Sequence, residues 1–102
     1  MAKDPHDEIT ELFARFAKAV EEGDSAAYET LCVDDMPPET ELFERNSEKV
    51  RAAKQKLRVQ RIDQEGEVAE VRFELVDASG GVVDEGMIVC TEEPRGWRIR
   101  AL

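Results

Sequence analysis

The stretch Ile9-Thr10-Glu11-Leu12-Phe13-Ala14-Arg15-Phe16-Ala17-Lys18-Ala19-Val20-Glu21-Glu22-Gly23-Asp24 carries the strongest periodic signal in the chain. Ile9, Leu12, Phe13, Phe16, Ala17 and Val20 recur at intervals of three and four, which gathers them into one stripe of a helix. Upstream, Asp4 offers an N-cap with Pro5 at the first helical position, and Asp7 and Glu8 suit the positive end of the helix dipole. Gly23 supplies the stop. The spacing predicts a helix from Pro5 to Glu22.

Beyond it, Asp24 or Ser25 can cap a short second helix carrying Ala27, Tyr28 and Leu31. The segment Cys32-Val33-Asp34-Asp35-Met36 then runs into Pro37-Pro38, which ends any regular element. Leu42, Phe43, Val50 and Ala53 predict a third, polar helix from Thr40 to about Lys56, with its basic end at the negative pole of the dipole. From Leu57 the period changes from helical spacing to alternation. Leu57 and Val59 alternate with Arg58 and Gln60; Ala69, Val71, Phe73 and Leu75 with Glu70, Arg72 and Glu74; Trp97, Ile99 and Ala101 with Arg98 and Arg100. Turn signals separate them at Asp63 to Gly66, Ser79-Gly80-Gly81 and Glu93-Pro94-Arg95-Gly96, so an antiparallel meander is expected. Val82 to Thr91 is apolar on both faces, as an interior strand would be, and Gly86 is read as a bulge or bend.

At 102 residues the chain has the length of one ordinary domain, and folding a chain of this size buries roughly 65% of the surface it exposes when unfolded. Residues 1–102 are therefore read as a single domain. Hydrophobic residues at 41% and charged ones at 37% exclude a disordered tail, a collagen and a membrane span. A net charge of −10 repels nucleic acid and anionic lipid, so neither is expected as a partner. From Lys49 to Ile62, however, six bases occur with no acid, against 14 acids and four bases in Met1 to Glu48. A helix end and one strand's wet face account for this; docking of an acidic partner is the functional alternative.

Cys32 and Cys90 form no CxxC pair and the only histidine is His6, so no metal or other cofactor is expected. The two cysteines read as buried free thiols, a disulfide being the minority reading. Met1 to Asp7 is polar, without an apolar signal core, which reads as cytoplasmic; a removed leader or anchor would make it extracytoplasmic.

The phrase Phe16 to Asp24 resembles the helix end, closing in Gly-Asp, of the nuclear transport factor two-like superfamily. Gly66-Glu67-Val68-Ala69-Glu70-Val71 resembles its hairpin entry into a long strand, and Gly96-Trp97-Arg98-Ile99 its closing strand. The likeness spans about Ile9 to Ala101 and is nearest to small bacterial lumazine-binding-like domains of unknown function. It implies an α+β fold with N-terminal helices packed on a curved antiparallel sheet, shallow or partly open as a cone because the chain is short for the superfamily.

The resemblance also implies chemistries to test. In the isomerase arrangement an Asp after the second helix is the general base and a Tyr donates to the enolate oxygen. Asp34 or Asp35 stands at about the right place, but helix one carries Phe13 and Phe16 where the Tyr is wanted, and Tyr28 lies on helix two. The histidine dehydratase type lacks an interior His. The epoxide-hydrolase type could assemble Asp35, Arg72 and Glu74 only on paper.

The residues that would line a cone are Phe16, Tyr28, Phe73, Met87 and Trp97, although their periods fit an ordinary core equally well. No catalytic residue is assigned. The leading reading is a non-catalytic domain that binds a small apolar molecule or a protein; an isomerase or cyclase using Asp34 or Asp35 is the alternative, and an accessory assembly domain a third. The expected core is Leu12, Phe13, Phe16, Val20, Leu31, Val59, Val71, Phe73, Leu75, Val89, Trp97 and Ile99. A weak homodimer is expected through the outer sheet face, with Arg58, Gln60, Glu70, Arg72, Glu74, Arg98 and Arg100 around Ile88 and Cys90.

Overall fold

The computed structural model describes residues 4–102; the first three residues of the polar stretch Met1 to Asp7 lie outside them. Helix α1 (Pro5–Glu22) begins where the Asp4 carboxylate accepts the His6 N–H and ends at Gly23, which adopts the left-handed conformation. The Gly23 and Asp24 N–H groups return to the Ala19 and Val20 carbonyls, which satisfies the helix end without a side-chain cap. Asp24 at once caps α2 (Ser25–Leu31) by accepting from Ala27 N–H at 3.0 Å. Two helices thus turn on a two-residue link.

Helix α3 (Thr40–Ala52) stops four residues before the expected Lys56. The reason is Lys54, whose φ of 54° reverses the chain and lets Gln55 N–H reach the Val50 carbonyl. Ser47, buried in this polar helix, donates to the Val20 carbonyl and accepts from Arg51 Nε, tying α3 to the end of α1.

Strands β1 (Lys56–Glu65), β2 (Val68–Val76), β3 (Val82–Glu93) and β4 (Gly96–Ala101) form an antiparallel meander in the order β1-β2-β3-β4. The helices cover one face, giving the α+β architecture that the change of period predicts. Cys32 continues the sheet as a parallel bridge to Ile99, and Val33 N–H donates to the Ile99 carbonyl at 3.0 Å. This short segment covers part of the open edge of β4. Cys32 and Cys90 both border Ile99 from opposite sides. Two strand spacings, roughly 10 Å, separate them, beyond disulfide reach, and both are buried free thiols.

The register corrects several expectations. Gly86 pairs regularly with Phe73, and the bulges fall instead at Val59/Arg61, Leu75/Val76 and Val89/Cys90. Cross-strand partners share a face, so Val71 opposite Ile88 and Ala69 opposite Cys90 draw Ile88 and Cys90 into the core. They are therefore not the apolar centre of the outer face. Val89, expected inside, faces outward and is half-buried, and Met87 on the same side is 37% exposed. Val59 points toward the helices but is also 37% exposed, because β1 is an edge strand that α1 overlaps only in part. Phe73 and Leu75 are half-buried; they face an opening. The other expected core residues, Leu12, Phe13, Phe16, Val20, Leu31, Val71, Trp97 and Ile99, are buried.

Candidate ligand cavity

The opening lies between α1, α3 and the helix-covered face of β2 and β3, with a volume of about 540 Å³. Phe16 and Val20 reach it from α1, Leu42, Phe43 and Val50 from α3, and Phe73, Leu75 and Ile88 from the sheet. Each comes from the apolar face of its element. The floor is a cluster of rings: Phe16 lies 6.1 Å from Phe73 and 6.4 Å from Phe43 between centroids, both edge to face, and Phe13 backs Phe73 at 5.5 Å. Such tilted arrangements suit the ring quadrupoles.

Gly86 shapes this floor. A Cβ there would stand 2.5 Å from Cζ of Phe73, so the Phe73 ring occupies the space above the β3 backbone that any other residue would fill. The glycine is a cradle for a ring.

The polar groups gather at the rim: Asn46, Lys49 and Gln55 on the helix side, and Asp84 and Glu85 on the strand side. Glu85 accepts from Gln60 at 3.3 Å, and Asp84 Oδ1 accepts from Glu85 N–H at 2.8 Å. The volume falls within the roughly 300–1,000 Å³ of small-molecule sites, and apolar walls with few polar groups are their usual composition.

Of the five residues expected to line a cone, Phe16 and Phe73 line this cavity; Met87 stands at its border, but opposite Arg72 its position belongs to the outer sheet face. Tyr28 lies behind it, buried and stacked on Phe43 at 4.4 Å with the rings 7° from parallel. Burial raises its phenol well above the ordinary range, with Cys32 adding to the shift. Trp97 is buried elsewhere, bordering a separate depression with Leu12 and Leu31, and its Nε1–H finds no acceptor among the described residues.

Asp34 and Asp35 are also remote from the opening. Asp34 grips Arg95 at 2.6 and 2.7 Å, and Asp35 meets Arg100 at 3.3 Å, both in solvent-exposed pairs beyond the Cys32–Ile99 bridge. Arg72 and Glu74 alternate onto the outer sheet face, away from the cavity. His6 sits exposed in the first turn of α1. Among the described residues no group of three or more His, Cys, Asp or Glu is placed to hold a metal ion.

The contribution of α3 was the part of the site that sequence reasoning missed. Its signal was present: Leu42, Phe43 and Val50 are spaced as one face of a helix otherwise rich in charge.

No family model matches the sequence. No curated protein matches it either. Solved structures do share its shape. A candidate NTF2-like transpeptidase from Campylobacter jejuni superposes with a TM-score of 0.69 at 12% identity, over 98% of this chain and 100% of that one. An NTF2-like protein of unknown function from Shewanella oneidensis gives 0.56 at 17% identity, over 94% of each chain. A candidate dehydratase of the NTF2-like family from Streptomyces avermitilis gives 0.55 at 15% identity, over 93% and 90%. The resemblance read from the sequence is thus met by an NTF2-like fold, and similarity at this identity speaks for the fold alone.

Proposed function

We propose that this chain binds a small, mainly apolar molecule in the cavity between α1, α3 and the β2–β3 face. The observation that carries the reading is the opening beneath a polar rim, where half-buried Phe73 and Leu75 present apolar surface over the buried rings of Phe16 and Phe43. Apolar surface facing water is costly, by about 25 cal/mol per Å², and a ligand that covers it regains that energy. Binding is favoured over general-base catalysis because Asp34 and Asp35 are engaged by arginines outside the cavity. The cytoplasmic setting belongs to the same proposal and is supported by two unpaired thiols beyond each other's reach. Among the described residues no helix is long and apolar enough to cross a membrane.

The neutral dye N-phenyl-1-naphthylamine tests the site. Its emission should rise saturably on binding, and Ala53→Phe, at the exposed C-cap of α3 on the cavity rim, should abolish the rise while leaving the fold intact. Unchanged binding in that variant would place the dye elsewhere and end the proposal.

The homodimer implied by the resemblance is proposed with a revised face. Its apolar patch consists of Val68, Met87 and Val89 instead of Ile88 and Cys90, within a field of charge that includes the Arg58–Glu74 pair at 2.7 Å. A patch of mixed sign can complement itself across a two-fold axis. Sedimentation should show a dimer at low salt that weakens as salt rises; a monomer at both, or a dimer indifferent to salt, excludes these contacts.

A further inference from the structure

On the helix-covered face of β2 and β3 the residues are Ala69, Val71, Phe73 and Leu75, with Gly86, Ile88 and Cys90 opposite them. Asp84 breaks the series. It stands directly across from Leu75, so the pleat turns it toward the cavity side, where an apolar residue would extend the floor. Its carboxylate takes part in no ion pair among the described residues, and neither does that of Glu85 beside it. Among the described residues Lys49 is the one cation bordering the cavity, on the opposite wall. Of the two acids only Asp84 is turned to the cavity side, Glu85 lying opposite Glu74 on the outer face, and the chain's net charge of −10 adds a field of the same sign.

Resting on the ligand-binding reading above, we propose that the ligand is an amphipathic amine, its apolar body over Phe73 and Leu75 and its protonated nitrogen at Asp84. Charge complementarity selects this class: a carboxylate in the same pose would meet the like charge of Asp84, and a neutral head would gain nothing from it. The amine answers both.

Three probes with one body decide the matter: octylamine, 1-octanol and octanoate, each displacing N-phenyl-1-naphthylamine from the full chain at neutral pH. Octylamine should displace the dye at concentrations about three- to fivefold lower than 1-octanol, the range of a solvent-accessible ion pair. Octanoate should require more than 1-octanol, and added salt should narrow both gaps. Asp84→Asn, an exposed substitution, should bring octylamine level with 1-octanol, whereas Glu65→Gln, at the distant β1–β2 hairpin, should leave the order intact.

Octanoate binding as well as 1-octanol would overturn the proposal. So would an octylamine advantage that survives Asp84→Asn, or one lost equally in Glu65→Gln, since the net charge alone would then explain it. If 1-octanol displaces no dye at all, the cavity reading falls as well; if it does and the order of head groups is wrong, only the amine assignment falls.

Discussion

Replacing Phe16 by alanine is expected to destabilise the fold by about 3–5 kcal/mol, the usual cost of truncating a buried phenylalanine. Phe16 is 5% exposed and is the hub of the aromatic cluster, with Phe13, Tyr28, Phe43 and Phe73 all within 6.4 Å of its ring centroid. It joins α1 to both other helices and to β2, so the loss opens a hole that no single neighbour can fill. Against a total stability of about 5–15 kcal/mol, the variant should lose a third or more of what holds the domain together. Urea unfolding followed by circular dichroism measures it: a fall in midpoint with the slope preserved is expected. A cost below about 1 kcal/mol would mean that the ring is not a core residue.

Alkaline pH should unfold the protein through its buried weak acids. Burial in the sheet interior pushes the Cys90 thiol from 9.0 up to about 12, and burial also raises Cys32 and Tyr28. Below pH 9 the thiol is protonated in both states and its contribution is fully present. Above pH 9 the unfolded chain releases this proton while the folded chain keeps it. Stability then falls by about 1.4 kcal/mol per pH unit for each such group, until the folded thiol itself ionises near pH 12.

For Cys90 alone the loss accumulates to ~4 kcal/mol across that window, and Cys32 and Tyr28 act in the same direction. Urea midpoints taken from pH 7 upward should be flat to pH 9 and then decline. In Cys90→Ala the decline should be shallower by one proton's worth of slope. An identical slope in that variant would show that Cys90 does not titrate as a buried thiol.

The local elements of this protein are legible in its residues because each is decided by near neighbours. The three- and four-residue spacing from Ile9 to Val20, closed by Asp4 and Gly23, defines α1 from Pro5 to Glu22. Alternation and glycine-bearing turns define four strands and their antiparallel order. Lys54 shows the limit, for nothing in a lysine announces a left-handed residue, and α3 ends there before its charged pattern does.

What covers each face is a different matter. In β3 both sets of alternating residues are apolar, Val83, Met87 and Val89 against Val82, Ile88 and Cys90, so period alone cannot choose between them. The choice belongs to the register, in which Gly86 must lie under the Phe73 ring because only a residue without Cβ leaves room for it. Once that pair is set, Ile88 and Cys90 follow inward, Met87 and Val89 outward, and Asp84 toward the cavity.

Half of the site was readable in this way. Phe16 and Phe73 follow from their own elements, whereas the wall from α3 depends on Ser47 docking to the end of α1, a contact 27 residues apart in sequence. The acidic pair was displaced by the same kind of contact, since the Cys32–Ile99 bridge carries Asp34 and Asp35 to Arg95 and Arg100 at the sheet edge. Sequence by itself determined the elements, their polarity and the presence of a core, because those rest on short-range spacing and composition. The tertiary structure decided which faces meet, where the cavity opens and which acid borders it, because those depend on pairings between residues far apart in the chain.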